Sequence, residues 1–413
     1  LEERTREPAR RAIEELRARA GDEAATPENF AFHAAGGGLA QEKDPYFQFD
    51  DAVERWVKSF AALGIGFRDA KITLDLLDRK GKYENGFMHG MVPAFRRRGG
   101  WLPAEINFTA NALPGSVGAG VRAAQTLFHE GGHAAHFANI LMDAPCFSQE
   151  FAPTSVALAE TQSMFCDSFL SDADWMTRYA RNAAGEPMPF DLIEREIRET
   201  QPFAAHAVRS MLIVCYAEKA LYEMPEDELT PDHILATLRS VEERFLMFPG
   251  GCPRPTLAVP HLLSREASAY YHGYVLAQMA VHQTRDHFRE KYGYLLDNPA
   301  IGKDLADVYW APGNSRSFLD LVKELTGKPF SADAIAAHVS RSADSAVADA
   351  RRQVDKLADI PEFRGDVDLD LRLGVIHGAE TIVDSGNDAL RGAEAFRDWV
   401  RERWPRAGAG VSA

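Results

Sequence analysis

Hydrophobic residues recur at helical spacing along most of the chain. Residues 1–20 form a charged amphipathic pattern, and "FDDAVERWVKSFAALGIGF" (49–67) has apolar positions at helical intervals before it ends on glycines. From Val121 onward nearly every segment has the same period, interrupted at 182–189 and 248–256. Since residues three and four apart share one face of a helix, the pattern predicts a mainly α-helical fold.

Two segments instead alternate between apolar and polar residues. "AKITLDLL" places Ile72, Leu74 and Leu76 at every second position, and "AEINFTANA" (104–112) repeats the pattern. Alternation of this kind is typical of β-strands, so we expect a small sheet in the mainly helical fold.

The chain of 413 residues is long enough for more than one domain. The Gly-rich, polar stretch 33–45 predicts a loop or a domain joint. We therefore expect an N-terminal helix and joint at 1–44, a main domain at 45–341 and a C-terminal helical extension at 342–413, with two or three charged helices.

Composition excludes several classes of partner. The formal net charge of -15 and the lack of a sustained basic block make nucleic acid and membranes poor partners. Four cysteines without CxxC spacing favour a reducing compartment, and we predict a cytoplasmic location. The oligomeric state is not predicted.

The segment "TLFHEGGHAAHFAN" (126–139) carries candidate catalytic chemistry. Its histidines, His129 and His133, are four residues apart, and Glu130 directly follows the first. On a helix both imidazoles lie on one face and can bind one Zn²⁺, while the glutamate takes a proton from a zinc-bound water. A chance pair of surface histidines beside a glutamate is the alternative.

A catalytic zinc ion needs a third protein ligand. Glu160 lies in the apolar helical segment "TSVALAETQSMFCDSFL", where a carboxylate is costly to bury unless it is paired or bound to metal. Asp167 follows seven residues later and is a candidate to hold the second ring nitrogen of a ligand histidine, with a solvated position as the alternative. Glu150 is a competing ligand candidate in a loop near Pro153.

At these motifs the chain resembles the thimet oligopeptidase and oligoendopeptidase F family of zinc metallopeptidases. "TLFHEGGHAAH" is similar to the family's HExGH motif, and "ETQS" (160–163) to its downstream glutamate ligand. Further similar segments are "DLLDRKGKYENG", "FPGGCPRPTLAVPHLLSREASAYYHGYVLAQMA" and "WAPGNSRSFLDLVKELTGKPF", so that the resemblance spans about 45–341. It implies a zincin-type helical metallopeptidase domain with a small sheet beside the HExxH helix.

The resemblance also bears on the two glycines of the motif. Family members keep a glycine at the position of Gly132, which indicates close approach of backbone or ligand. Gly131 replaces a bulkier residue, and the sequence alone gives no reason for it.

In the family, closely spaced tyrosines and a histidine follow a Gly-rich loop. Alignment on "GYVLAQ" assigns the catalytic pair to Tyr274 and Tyr271, donors to the tetrahedral oxyanion, whereas alignment on His261 favours Tyr270. His261 resembles the substrate-contacting histidine, and Ala267 stands where the family has a further tyrosine. Three core or interface tyrosines are the alternative reading.

Further positions follow from the same comparison. Gly250 and Gly251 belong to the loop "GGCPRP", which we expect to close over bound peptide and, with Tyr270, to bind substrate. His136 lies on the face of the ligand histidines, and we expect it to support the ligands while Glu160 completes the ion's coordination.

The combined expectation is a zinc-dependent peptidase with one Zn²⁺ per chain that hydrolyses short peptides, either as an oligopeptidase or as a dipeptidyl carboxypeptidase. Two alternatives remain open at this point. One is an inactive relative that binds peptides, although such a protein has no use for the Glu130 base. The other is a zinc hydrolase of a non-peptide amide or ester.

Overall fold

The computed structural model describes residues 1–82, 86–150, 152–252, 256–263 and 267–404. Within this part of the chain every helix is too short or too polar to span a lipid bilayer. The helices are α1 (Glu2–Ala20), α2 (Pro27–Ala34), α3 (Leu39–Lys43), α4 (Ala52–Ala62), α5 (Ala119–Ala138), α6 (Val156–Asp167), α7 (Ala173–Tyr179), α8 (Phe190–Thr200), α9 (Ala204–Tyr222), α10 (Pro231–Leu246), α11 (Pro260–Leu263), α12 (His272–Tyr292), α13 (Pro299–Asp304), α14 (Phe318–Thr326), α15 (Asp333–Val339), α16 (Ala343–Asp355) and α17 (Ala389–Arg403).

The strands form two sheets. In the described residues the larger sheet has the order β2-β5-β1-β6-β7, and β3 pairs with β4 in a separate hairpin. The strands are β1 (Ala70–Leu77), β2 (Phe87–Val92), β3 (Phe95–Arg97), β4 (Gly100–Leu102), β5 (Glu105–Ala112), β6 (Leu371–His377) and β7 (Glu380–Asp384).

The chain folds into two compact units that are interleaved in sequence. One unit, here called the helical unit, comprises residues 1–39, 193–283 and 330–349. The other, called the sheet unit, comprises residues 40–192, 284–329 and 350–413. The domain boundaries that we expected from the sequence, at residues 45 and 342, stay a prediction.

The helical unit is organised around α9, which packs against α1 and α10. The amphipathic pattern of residues 1–20 explains the contact, since α1 buries one apolar stripe and leaves its charged face outside. The core formed by these helices contains, among others, Ile13, Leu16, Phe30, Phe203, Leu212, Ile213, Phe245 and Phe248.

The sheet unit contains the larger sheet, and β1 lies at its centre. β1 pairs in parallel with β5 and with β6, so that Ile72 lies opposite Ile106 on one side and Leu373 on the other. The central strand β1 buries most of its side chains, whereas β2 and β7 are antiparallel edge strands. The helix α5 packs on β2 and β5, and α17 packs on α4, β6 and β7.

This arrangement confirms the predicted mainly helical fold with a small sheet beside the HExxH helix, since that motif lies in α5. The predicted strands at 70–77 and 104–112 are confirmed as β1 and β5. The predicted helical extension at 342–413, with two or three charged helices, contains α16 and α17, but it is wrong for 371–384, which form β6 and β7. In this segment Leu371, Leu373 and Val375 alternate with more exposed residues and are buried in the sheet.

Because β6 continues the central sheet, its side chains belong to the main core of the unit. We expect Leu373→Ala, at a position that is 0% exposed, to lower the free energy of unfolding by about 2–5 kcal/mol in urea denaturation. Thr381→Ala, on the exposed side of β7, is the control and should change it by less than about 0.5 kcal/mol. If Leu373→Ala left the main urea unfolding transition unchanged, β6 would instead unfold independently of the rest of the sheet.

Candidate metal centre and active site

The helix α5 positions the first two candidate ligands. Four residues apart, His129 and His133 lie on the same face of the helix, with ring centroids 5.2 Å apart. Both imidazoles direct Nε2 towards the same carboxylate oxygen of Glu160.

The third candidate ligand comes from α6, which packs against α5. Glu160 Oε2 lies 3.5 Å from Nε2 of His129 and 3.5 Å from Nε2 of His133. All three donor groups are within 4.8 Å of one another. Donors bound at about 2.1 Å to one tetrahedral ion are about 3.4 Å apart, so this nitrogen, nitrogen and oxygen set fits a zinc ion.

The close approach of α5 and α6 depends on Gly132. A methyl group at this position would lie 2.6 Å from the carbonyl oxygen of Gln162 and 2.8 Å from Cα of Ser163. Any side chain would therefore push α6 away, and with it Glu160, which lies two residues before Gln162.

Gly131 faces the opposite neighbour, α4. A methyl group there would lie 2.4 Å from Nε1 of Trp56, whose side chain is completely buried. The two glycines thus allow α5 to pack closely against a helix on each side. A helix-interior glycine costs about 0.5–1 kcal/mol relative to alanine, and the fold accepts this cost twice at the motif.

The ligand histidines are oriented by acidic groups. Nδ1 of His129 lies 2.9 Å from Oδ2 of Asp167, which leaves its Nε2 for an ion. Burial lowers the pKa of His129, but the hydrogen bonds with Asp167 and Glu160 outweigh it and hold this pKa well above the ordinary value. Burial also lowers the pKa of His133, but the charge of Glu160 raises it more, so the pKa of His133 is above its ordinary value.

Glu160 experiences the reciprocal effect. Burial favours its neutral form, yet the two imidazoles outweigh burial and hold the pKa of Glu160 far below the usual range. Ser163 Oγ also donates to Oε2 of Glu160 over 3.1 Å. The negative charge of Glu160 and Asp167 favours a proton on the imidazoles, and it favours a divalent cation between the ligands for the same electrostatic reason.

Glu130 lies beside the ligands and is only 8% exposed. Its Oε2 accepts a hydrogen bond from the backbone N–H of Met88 in β2 over 2.7 Å. In the described part of the chain this is the carboxylate's one hydrogen bond. The contribution of Met88 cannot be predicted from the sequence, because a backbone donor on an edge strand leaves no signature in the residue type.

His136 does not join the group of ligands. The side chain is 3% exposed, and neither ring nitrogen has a hydrogen-bond partner among the described residues. Burial and the neighbouring His133 lower the pKa of His136 to about 3, so this imidazole is neutral. It fills space in the core on the same helix as the ligand histidines.

The tyrosine segment lies in the helical unit and forms a cluster around His261. The hydroxyl of Tyr274 is 3.3 Å from Nε2 of His261, and the ring centroid of His261 is 5.5 Å from those of Tyr270 and Tyr271. All four predicted residues are therefore brought together. Their cluster does not by itself distinguish which phenol acts in catalysis.

The Gly-rich loop before this cluster is attached to α10. Gly250 and Gly251 have φ angles of +100° and +75°, a region that favours glycine. The buried carboxylate of Glu242 accepts the backbone N–H groups of Cys252 and Thr256, at 3.2 and 2.9 Å. Residues 253–255 of the predicted mobile loop lie outside the described residues. Glu242 was not a sequence candidate, since nothing in "SVEERF" separates it from its neighbours.

Most of the chain matches a family of known peptidases. Residues 53–341 match the family model of peptidase family M3. The mitochondrial intermediate peptidase of Chaetomium globosum is 33% identical over 101 residues, which are 24% of this chain and 12% of that protein. The curated relative is thus matched over a small part of its length.

Solved structures show a similar fold. BsuCP aligns with a TM-score of 0.53 at 17% identity, over 82% of this chain and 65% of that chain. A Pyrococcus furiosus carboxypeptidase aligns with a TM-score of 0.50 at 15% identity, again over 82% and 65%. This chain thus covers less than two thirds of either structure, and at these identities the likeness concerns the zincin-type helical fold. Because the family model spans more than half of the 413 residues, the chain belongs to peptidase family M3, as its motifs predicted.

Proposed function

We propose that this protein is a zinc-dependent peptidase that hydrolyses short peptides. One Zn²⁺ per chain is held by His129, His133 and Glu160, and Glu130 acts as the general base. The observation that carries the proposal is the buried Glu130 carboxylate next to three convergent donor groups, with one oxygen held by the Met88 N–H. A protein that only binds peptides gains nothing from a base at this position.

When bound, zinc supplies a Lewis acid that acidifies water and polarises the substrate carbonyl. The Met88 N–H orients the Glu130 carboxylate, which accepts the proton of the attacking water. The same group then returns the proton to the amine that leaves. Asp167 keeps the His129 ring oriented throughout.

Tyrosine donors complete the proposal. Tyr274, with Tyr271 as the second choice, donates a hydrogen bond to the oxyanion that develops on the substrate carbonyl. His261 contacts substrate and supports the Tyr274 hydroxyl, from which its Nε2 is 3.3 Å distant. Tyr270 and the loop of Gly250 and Gly251 bind the peptide.

An extended peptide has a natural place on β2. This strand pairs with β5 on one side, and no other described strand pairs with its second edge. Open backbone groups on an edge strand bind extended peptides by adding a strand. Cleavage of the oligopeptidase or dipeptidyl carboxypeptidase type and a cytoplasmic location are part of this proposal.

The role of the base is tested by Glu130→Gln. The amide has the same shape and its oxygen can still accept the Met88 N–H, but it cannot take a proton. We expect elemental analysis to find one zinc ion per chain in this variant. Its turnover number, measured by mass spectrometry of a random peptide mixture, should be at least about 10²-fold lower than that of the wild type. Gln125→Ala, at an exposed position of the same helix, should retain full activity. Zinc-loaded wild-type protein that leaves every peptide intact would refute the proposed function.

The α5–α6 packing is tested by Gly132→Ala. The added methyl group separates the helices and moves Glu160 from the histidines, so the zinc dissociation constant should rise by about 10–100-fold in competition titrations with a chelator. Gly131→Ala is the matched control, because its methyl group meets Trp56 of α4. It should lower stability by about 1–3 kcal/mol with a much smaller effect on zinc. Equal losses of zinc affinity in both variants would disprove the specific role of Gly132.

The phenols are ranked by single substitutions to phenylalanine. Tyr274→Phe should reduce kcat by about 10²–10³-fold with little change in KM, because the hydrogen bond forms mainly in the transition state. Tyr270→Phe should have a much smaller effect in the same steady-state assay. A larger effect for Tyr270→Phe would transfer the catalytic role to Tyr270.

A further inference from the structure

A short hairpin in the sheet unit carries an unusual concentration of positive charge. Strands β3 and β4 pair Arg96 with Trp101 and Arg97 with Gly100, and Arg98 occupies the turn. The three arginines are exposed, and none of them forms an ion pair with any residue that the structure describes. In a chain with a net charge of -15, three adjacent arginines without carboxylate partners require an explanation.

A tight turn fixes the backbone of this arginine segment. Arg98 and Gly99 have φ angles of +47° and +84°, the pattern of a tight two-residue hairpin turn. Arginine is uncommon at the first of these positions, where asparagine or glycine is favoured. Arg96 and Arg98 both border a cavity next to the hairpin.

This cavity, here called the arginine pocket, has a volume of about 720 Å³. A third guanidinium, from Arg68, lines it and is held by a hydrogen bond from Nε to Asn139 over 2.9 Å. The indole of Trp101 forms part of the wall, and its Nε1 donates to the carbonyl oxygen of Arg68 over 3.0 Å. The pocket therefore combines guanidinium groups, of which Arg68 is held in place, with an apolar surface.

Carboxylates also line the arginine pocket, but no described carboxylate forms an ion pair with Arg96 or Arg98. Asp69 pairs with Arg372, outside the lining, at 2.5 Å. Asp143 and Asp370, which also line the pocket, are exposed and form no ion pair with any described residue. The guanidinium groups of Arg96 and Arg98 are thus available to a ligand, and guanidinium binds carboxylate with two parallel hydrogen bonds.

The pocket is connected to the candidate metal centre by β2. This strand starts beside Glu130, which accepts the Met88 N–H, and it ends at Val92, three residues before the hairpin begins. The hairpin is also tied to the segment that follows α5, since the Arg96 N–H donates to the Met142 carbonyl oxygen over 2.8 Å. An extended peptide rises about 3.3 Å per residue, so one that follows β2 from Met88 reaches the pocket about four to six residues from the cleaved bond.

We propose that the arginine pocket is a subsite for acidic side chains of peptide substrates, in which Arg96 and Arg98 bind a carboxylate four to six residues from the cleaved bond. The inference rests on the proposed peptidase function and adds a preference for acidic peptides to it. It also explains why the arginines of the hairpin have no ion-pair partner among the described residues.

The test uses pairs of fluorogenic peptides that differ only by Glu or Gln at each position four to six residues on either side of the cleaved bond. For wild-type protein, kcat/KM should be about five- to tenfold higher for the Glu peptide at one of these positions. Most of the difference between the two peptides should lie in KM, and added salt should reduce this difference. In the double variant Arg96→Gln/Arg98→Gln the preference should vanish while cleavage of the Gln peptide is unchanged. Arg364→Gln, at a side chain that is 84% exposed, is the matched control.

The outcomes separate the subsite from the peptidase function. Equal cleavage of Glu and Gln peptides by wild type, or a preference that survives in the double variant, overturns the subsite and leaves the peptidase function intact. Absence of any cleavage refutes the peptidase function, and fluorescence anisotropy of the same labelled peptides then decides the subsite. Tighter binding of the Glu peptide that is lost in the double variant supports the subsite, and equal binding overturns it.

Discussion

The candidate metal centre depends on how closely two helices approach each other. His129 and His133 come from α5 and Glu160 from α6, and only the absence of a side chain at Gly132 lets the backbone of α6 pack next to the motif. The glycine weakens the isolated helix, yet it allows a contact without which the third donor would be out of reach. Burial of the Glu160 carboxylate without a partner would destabilise this contact. The imidazoles of His129 and His133 offset that cost through a favourable charge interaction.

Rigidity around this contact comes from a second set of ionic groups. Asp167 ends α6 and orients His129, and the residues directly after it are held by Arg285 of α12. The Arg285 guanidinium donates to Ser168 and to Asp172, both at 2.6 Å. The end of α6 is therefore fixed by α12, which leaves Asp167 little freedom to move away from the histidine.

Local patterns in the sequence were sufficient for much of the fold and of the candidate site. Periodicity alone places His129 and His133 on one helix face, and the cost of burying Glu160 in an apolar helix made it a ligand candidate. The reason for Gly131 could not be predicted, because its neighbour Trp56 is distant in sequence and meets it only in the folded protein.

Strand predictions succeeded where alternation was strong and the segment was isolated from helices. β1 and β5 meet both conditions. The strand β6 has the same alternation at Leu371, Leu373 and Val375, but it lies between charged helices, and the helical context outweighed the local signal. The edge strand β2 exposes most of its residues and shows no alternation, so only pairing with β5 defines it.

The interleaving of the two units has a consequence for how the protein is made. Ile13 and Leu16 of α1 are buried against residues such as Leu212 and Ile213 of α9, which are roughly 200 positions later in the chain. At about 5–20 residues per second, a ribosome takes about 10–40 s to supply that partner. During this time only nearby residues of the same core, among them Ala24, Ala25 and Phe30, can cover the apolar stripe of α1. The part of the stripe that packs on α9 therefore stays without its native partner until α9 emerges.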